Sequence, residues 1–384
     1  MSEKTENMPG PLLEISGLNK SFWSVPVLTD VDFDVRRGEV HALVGENGAG
    51  KSTLVKIICG AYFRDSGRMV FDGSEYSPAN PAEALSRGIA VIYQETSLVP
   101  SLTVRENVFL GIENAGAFGM CGGAAEKRRF DELCERIGYR LPAEAKVGRV
   151  GPAERKLAEI AKALAHDARL LIMDEPTDSL SGGEMEAFFG VVDDLKRRGI
   201  TIIYITHYLG ELFRVSDRVT VLKDGRKVAS MDIGSTNGDA IVNLMLGRSG
   251  DGRNAQREEA RPPEAGPELL RAERLARAGH VNGVSVALRG GEVTGLVGVI
   301  GSGKTELARL LFGADRPDGG DVFVKGGRVE PLTPRTAKAA GIGFLPEDRK
   351  TQGLLQEQSV QRNLTLAALE KTSAGHVISA ERER

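Results

Sequence analysis

Gly45-Glu-Asn-Gly-Ala-Gly-Lys51-Ser52 is a complete phosphate-binding loop, and 253 residues later the chain repeats it as Gly298-Val-Ile-Gly-Ser-Gly-Lys304-Thr305. Such a loop exposes successive backbone N–H groups, because its glycines reach conformations closed to other residues, and it feeds a helix whose N-terminus is partly positive. The apolar run from Glu39 to Val44 and the helical pattern from Lys51 to Cys59 supply the strand, loop and helix order that the cradle requires. Further on, Arg169-Leu-Leu-Ile-Met-Asp174 and Gly199-Ile-Thr-Ile-Ile-Tyr-Ile-Thr206 are continuous apolar runs, the pattern of strands buried on both faces. The expected fold class is therefore α/β, a P-loop nucleotide-hydrolase fold with a mostly parallel sheet and helices on each side. Between about 101 and 165 the pattern turns helical, most clearly over Glu126–Ile137 and Ala153–Leu164, which predicts a helical subdomain inserted between strands.

Other landmarks keep the same offset, as an internal repeat demands. Gly38-Glu-Val40 meets Gly291-Glu-Val293, Gly60-Ala61 meets Gly313-Ala314, and Gly88-Ile-Ala-Val-Ile-Tyr-Gln94-Glu95 falls on Gly341-Ile-Gly-Phe-Leu-Pro-Glu347-Asp348. Residues 1–11 read as a disordered tail, 12–247 as the first copy, 248–267 as a polar Gly- and Pro-rich linker, and 268–384 as the N-terminal part of a second copy. Residue 384 precedes any second acidic strand, so the expectation is one whole nucleotide site and one shortened one.

Composition narrows the class. The chain has 384 residues, 41% of them apolar, and 50 basic against 53 acidic side chains for a net charge of −3. That is enough to bury cores in two or three domains, and it offers no global positive field for nucleic acid. Cys59, Cys121 and Cys134 lack metal-ligand spacing and read as buried thiols of a reducing compartment. The polar start shows no secretory signal, and no apolar run approaches the ~20 residues that span a bilayer. The expectation is a cytoplasmic chain that reaches a membrane only through a partner.

The loop residues set the chemistry. Gly45, Asn47, Gly48 and Gly50 shape a cradle for a triphosphate, Lys51 should reach the β- and γ-phosphates, and the Ser52 hydroxyl, next to Thr53, is the expected magnesium ligand. Asp174 and Glu175 close an apolar strand at the carboxyl edge where open α/β sheets bind ligands. Asp174 would hold the magnesium shell, and Glu175 would orient or deprotonate the attacking water. In the second copy Gly298, Gly301, Ser302, Gly303, Lys304 and Thr305 repeat the cradle for a second ATP.

With those residues assembled, the chain resembles the ATP-binding subunits of ABC transporters over essentially all of 12–384. The resemblance implies ATP and Mg2+ as ligands. It casts Gln94 as the glutamine that contacts magnesium and senses a transmembrane partner, His207 as the switch histidine at the γ-phosphate, and Phe22 as the ring stacked on adenine. The family signature, an LSGGQ-like start to a helix, matches only Val150-Gly-Pro-Ala-Glu154, without the serine or the central glycine. Leu180-Ser-Gly-Gly-Glu184 looks closer, but it follows Glu175 and occupies the family's D-loop. Because family members pair head to tail across ATP, the degenerate signature implies one weak site, and it faces a loop whose Gln94 counterpart is Glu347.

Twin copies, Gly341-Ile-Gly-Phe-Leu-Pro-Glu-Asp-Arg-Lys350, and Leu98-Val-Pro-Ser-Leu-Thr-Val-Arg-Glu-Asn-Val-Phe-Leu-Gly111 are similar to the monosaccharide importers of ribose, galactose and xylose type. That implies ABC permease subunits as partners, a sugar-binding protein indirectly, and a peripheral place on the inner face of the cell membrane. It also allows a head-to-tail homodimer. Two other readings stand beside it: a soluble ABC protein acting on ribosomes or DNA, and a subunit that binds nucleotide without hydrolysing it.

Overall fold

The computed structural model describes residues 10–94, 96–112, 123–178, 180–247, 266–298, 301–374 and 377–379. Cys121, most of the expected tail and most of the expected linker lie outside them. The chain separates into two compact units, Met1–Gly252 and Arg253–Arg384.

In the first unit, β1 (Leu13–Phe22) and β2 (Val25–Val35) form a hairpin that leads into β3 (Val40–Val44), the phosphate loop and helix α1 (Lys51–Ile58). There follow β4 (Ser66–Phe71), β5 (Ser74–Glu75), α2 (Pro81–Ser86), β6 (Ile89–Ile92), α3 (Val104–Phe109), α4 (Ala124–Ile137), α5 (Pro152–Ala165) and β7 (Leu170–Asp174). The unit ends with α6 (Gly182–Arg197), β8 (Thr201–Ile205), α7 (Leu209–Val215), β9 (Arg218–Lys223), β10 (Arg226–Asp232) and α8 (Gly238–Leu246). One sheet runs in the order β10-β9-β3-β8-β7-β6, parallel except for β10 at its edge. A second, antiparallel sheet runs β2-β1-β4-β5.

The apolar runs of β7 and β8 serve two cores at once. Leu171, Met173, Ile202 and Tyr204 pack with Phe130, Leu157, Ile160 and Phe188 of the helices on one face. Leu170, Ile172, Ile203 and Ile205 pack on the other with Leu54 and Ile58 of α1 and with Leu13, Ile15 and Phe33 of the antiparallel sheet. Helices thus pack on both faces, as expected, and β1 and β2 add a β-hairpin that covers the rest of the second face with their alternating apolar residues. Between residues 101 and 165 the described helices are α3, α4 and α5. Thr103 starts α3 with a capping box to Glu106, and Pro152 occupies the first turn of α5, where its missing N–H costs nothing. Cys59 and Cys134 are buried free thiols.

The second unit contains β11 (Glu268–Arg277), β12 (Val281–Arg289), α9 (Lys304–Phe312), β13 (Gly319–Val324), β14 (Gly327–Arg328), α10 (Pro334–Ala340) and α11 (Val360–Leu366) among its described elements. Its sheet, β12-β11-β13-β14, repeats the order of the first antiparallel sheet. The counterparts of β3 and β6, Val293–Val297 and Ile342–Leu345, are not strands, and Val293, Val297 and Leu345 are almost fully exposed. In the first unit β3 pairs with β8 and β9, and β6 with β7. At the repeat offset, the counterparts of β7, β8 and β9 fall beyond residue 384.

Candidate functional site

Strand order brings the site together. The loop leaves the end of β3, Asp174 and Glu175 leave β7, His207 follows β8 and Gln94 follows β6, so all lie at the carboxyl edge of one parallel sheet. Backbone packing fixes the loop: a side chain on Gly45 would strike the Leu222 carbonyl at 2.3 Å, and one on Gly50 would strike Leu28 at 2.6 Å. Gly50 also sits at φ +101°, which favours glycine. Lys51 folds back over the cradle, its Nζ donating to the Gly45 carbonyl at 2.7 Å and the Glu46 carbonyl at 3.1 Å. Burial pulls the Lys51 ammonium down from its ordinary pKa, while Glu175 and Asp174 oppose the shift. Asn47 and Ser52 are exposed on the loop, and Thr53 is half-buried behind them.

Burial raises the Asp174 carboxyl above the ordinary aspartate value, against the attraction of Lys51. Burial and then Asp178 raise Glu175, and its hydrogen bond with His207 works the other way. The Glu175 Oε1 to His207 Nδ1 distance is 3.2 Å. Glu175 has φ +47°, a left-handed conformation strained for a non-glycine residue, and its N–H donates to the Ile205 carbonyl at 3.0 Å. Glu175, Asp178 and His207 each offer a ligand atom within 4.8 Å of the others. Gln94 Nε2 donates to Asp178 Oδ2 at 2.8 Å, joining the segment after β6 to the turn after β7.

Three carboxylates that sequence reasoning passed over complete this arrangement. Asp178 stands three residues past Glu175, and that spacing after an Asp-Glu-Pro turn was the available signal. Buried Glu211 accepts hydrogen bonds from Thr177 Oγ1 at 2.6 Å, Thr206 Oγ1 at 2.9 Å and the Tyr204 hydroxyl at 3.0 Å, tying the turn that carries Glu175 to the residue before His207. Buried Glu159 accepts from Ser97 N at 2.7 Å, while Lys156, its ion-pair partner at 3.4 Å, donates to the Gln94 carbonyl at 3.0 Å. Neither Glu211 nor Glu159 has a local motif.

Phe22 stands at the tip of the β1–β2 hairpin, edge-on to Tyr62 with ring centroids 5.1 Å apart. The degenerate signature starts α5, where Gly151 N donates to Glu154 Oε2 at 2.7 Å. The Leu180–Glu184 stretch starts α6 through a capping box between Ser181 and Glu184. In the second unit, Lys304 Nζ donates to the Gly298 carbonyl, and Thr305 Oγ1 to Glu347 Oε2 at 3.2 Å. Gly301 and Gly303 both have positive φ, and Ser302 lies within 3.5 Å of Lys304 Nζ.

The ABC transporter family matches residues 28–178 and 281–383. The chain is 45% identical to the ribose import ATP-binding protein RbsA 1 of Rubrobacter xylanophilus over 96% of its own length and 72% of that protein's. It is 41% identical to the ribose import ATP-binding protein RbsA of Geobacillus kaustophilus over 97% of its length and 75% of that protein's. A solved nucleotide-free ATP-binding cassette from an ABC transporter is similar at 26% identity and a TM-score of 0.54, covering 62% of this chain and 95% of that one. A tandem match of this span, with relatives at this identity, makes the chain a member of the ABC transporter family.

Proposed function

We propose that the chain is an ATP-binding and ATP-hydrolysing subunit that energises sugar import through a partner ABC permease. The observation that carries this reading is the convergence of Glu175, His207 and Asp178 beside the Lys51 cradle. ATP would lie with its phosphates on the Gly45–Ser52 backbone, and Lys51 would exchange its two carbonyl contacts for phosphate oxygens. Glu175, its carboxylate favoured by the His207 hydrogen bond, would accept the proton of the attacking water. His207 would meet the γ-phosphate from the next strand, and Glu211 would hold both turns in place.

The donor set suits Mg2+: the Ser52 hydroxyl, the Asp174 carboxylate and the Gln94 carbonyl are hard oxygen ligands. Asp178 Oδ1, buried without a hydrogen-bond partner among the described residues, adds an oxygen that a bound cation would satisfy. Bound there, Mg2+ would offset phosphate charge.

Sugar import rests on the relatives named above. A cavity of about 170 Å3 lined by Tyr93, Ser97, Glu159, Lys162 and His166 lies along the segment that flanks Gln94, where a permease segment could be sensed. Among the described residues no helix is long and apolar enough to cross a membrane, and the peripheral place on the inner face rests on the same relatives. Two chains pairing head to tail would give each ATP a second wall, and specific activity would then rise with protein concentration. Trapping by MgATP tests the whole reading. Glu175→Gln should hold ATP that the parent chain turns over; if the substitution changes neither retention nor turnover, the chain binds without hydrolysing.

A further inference from the structure

The two phosphate loops face different surroundings where a nucleobase would lie. In both units the first hairpin presses on the loop's last glycine: a side chain on Gly50 would meet Leu28 at 2.6 Å and the Val27 carbonyl at 3.1 Å, and one on Gly303 would meet the His280 carbonyl at 2.6 Å. Val27-Leu28 and His280-Val281 are thus equivalent. Across each hairpin, Lys20 pairs with Leu28 and Arg277 with Val281. Ser21 N donates to Asp65 at 2.6 Å, as Ala278 N does to Asp318 at 2.7 Å, which fixes the same correspondence from a second side.

Between those anchors the first hairpin has seven residues, 21–27, and the second has three, 278–280. Between the counterparts of Ser21 and Val27 only Gly279 remains, so no aromatic side chain stands where Phe22 does. The ring behind Phe22 is also replaced. Tyr62, with Lys56 Nζ 5.1 Å over its ring, corresponds to Asp315, which accepts from Arg277 at 2.5 Å and from Arg309 at 2.8 and 2.9 Å. An aromatic corner in the first unit is an ionic corner in the second, and its charges are already paired.

On the reading that both loops bind nucleotide, we infer that the second loop takes the triphosphate chain without selecting for a base. Lys304, Thr305 and the backbone of residues 301–303 supply the affinity, and among the described residues no counterpart of Phe22 or Tyr62 adds a stacked aromatic pair to it. The ligand class of the second site is accordingly a Mg2+-bound polyphosphate tail, with a nucleoside contributing little. A stacked base contributes enough elsewhere to change binding roughly 5- to 150-fold.

The test is competition against radiolabelled ATP on the full chain with Mg2+. In Lys51→Ala, which leaves the second loop, inorganic tripolyphosphate should displace the label at about the same concentration as unlabelled ATP, within roughly threefold. In Lys304→Ala, which leaves the first loop, ATP should compete at least tenfold better, and adding Phe22→Ala should bring the two competitors within a few-fold. A tenfold or greater ATP preference in Lys51→Ala overturns the inference, the more directly if His280→Ala removes it. A Lys51→Ala chain that retains no label overturns the nucleotide reading of the second loop itself, an outcome distinguishable from a retained base preference.

Discussion

Asp174 and Glu175 carry raised pKa values with burial as the first cause, so both cost stability when ionised. A carboxyl raised in the folded state binds more protons folded than unfolded, so its penalty is absent below the unfolded value, grows as pH rises between the two values and is complete above the folded one. Asp174→Asn and Glu175→Gln should therefore raise the melting temperature at pH 7.5, with the gain shrinking to nothing near pH 4, as differential scanning calorimetry would show. The same Glu175→Gln change should lower turnover by about 10²–10⁴-fold with ATP binding intact, the scale of a lost general base. A melting point that falls at pH 7.5 would mean that the ionised pair stabilises the fold. The placement of these two acids at the carboxyl edge of the sheet was legible because they close an apolar strand. Asp178 acquires meaning only through Gln94, 84 residues away, and through its convergence with Glu175 and His207, and Glu211 only through three hydroxyls converging from β8 and its neighbours, which no local pattern announces.

Helix α5 grips the segment between β6 and α3 from both sides of Gln94. Lys156 binds the Tyr93 and Gln94 carbonyls, and Glu159 binds the Ser97 N–H and hydroxyl. Both side chains are buried, so removing one strands the other's charge, a loss of about 3–5 kcal/mol. Lys156→Met is expected to destabilise on that scale, while Lys156→Met with Glu159→Gln should cost clearly less than the two single changes summed. Chemical denaturation of the four proteins gives the coupling, and additive costs would show that the pair is not a unit. Strands were readable from apolar runs only where partners exist. Ile89–Ile92 and Ile342–Leu345 share a pattern, yet only the first is a strand, because β7 lies beside it. Pattern reports the wish to be buried; pairing decides whether a strand forms.

At the scale of the molecule, the repeat was legible as a fixed offset between two loops, but the unequal cores were not, because burial depends on which strands pack together. The first unit buries three apolar clusters that meet the parallel sheet from both faces. Among the described residues, the buried cluster of the second unit is Leu270, Ala272, Leu275, Val281, Leu307, Leu310 and Val322, with half-buried residues such as Val284 and Leu311 packed on it. A core that small supports little stability. Amide exchange in β11, β13 and α9 should therefore occur through openings of lower free energy than exchange in β3, β7 and β8. Ligand linkage separates the two units further, since a ligand at 100 times its dissociation constant stabilises the state that binds it by about 2.7 kcal/mol. Saturating MgATP should slow exchange in β3 and α1 in the parent chain and in Lys304→Ala, but leave it unchanged in Lys51→Ala. Slowing in α9 should show the reverse dependence, persisting in Lys51→Ala and vanishing in Lys304→Ala. If Lys51→Ala abolished protection in α9 as well, the second loop would not bind nucleotide by itself, the result that a Lys51→Ala chain retaining no labelled ATP would also give.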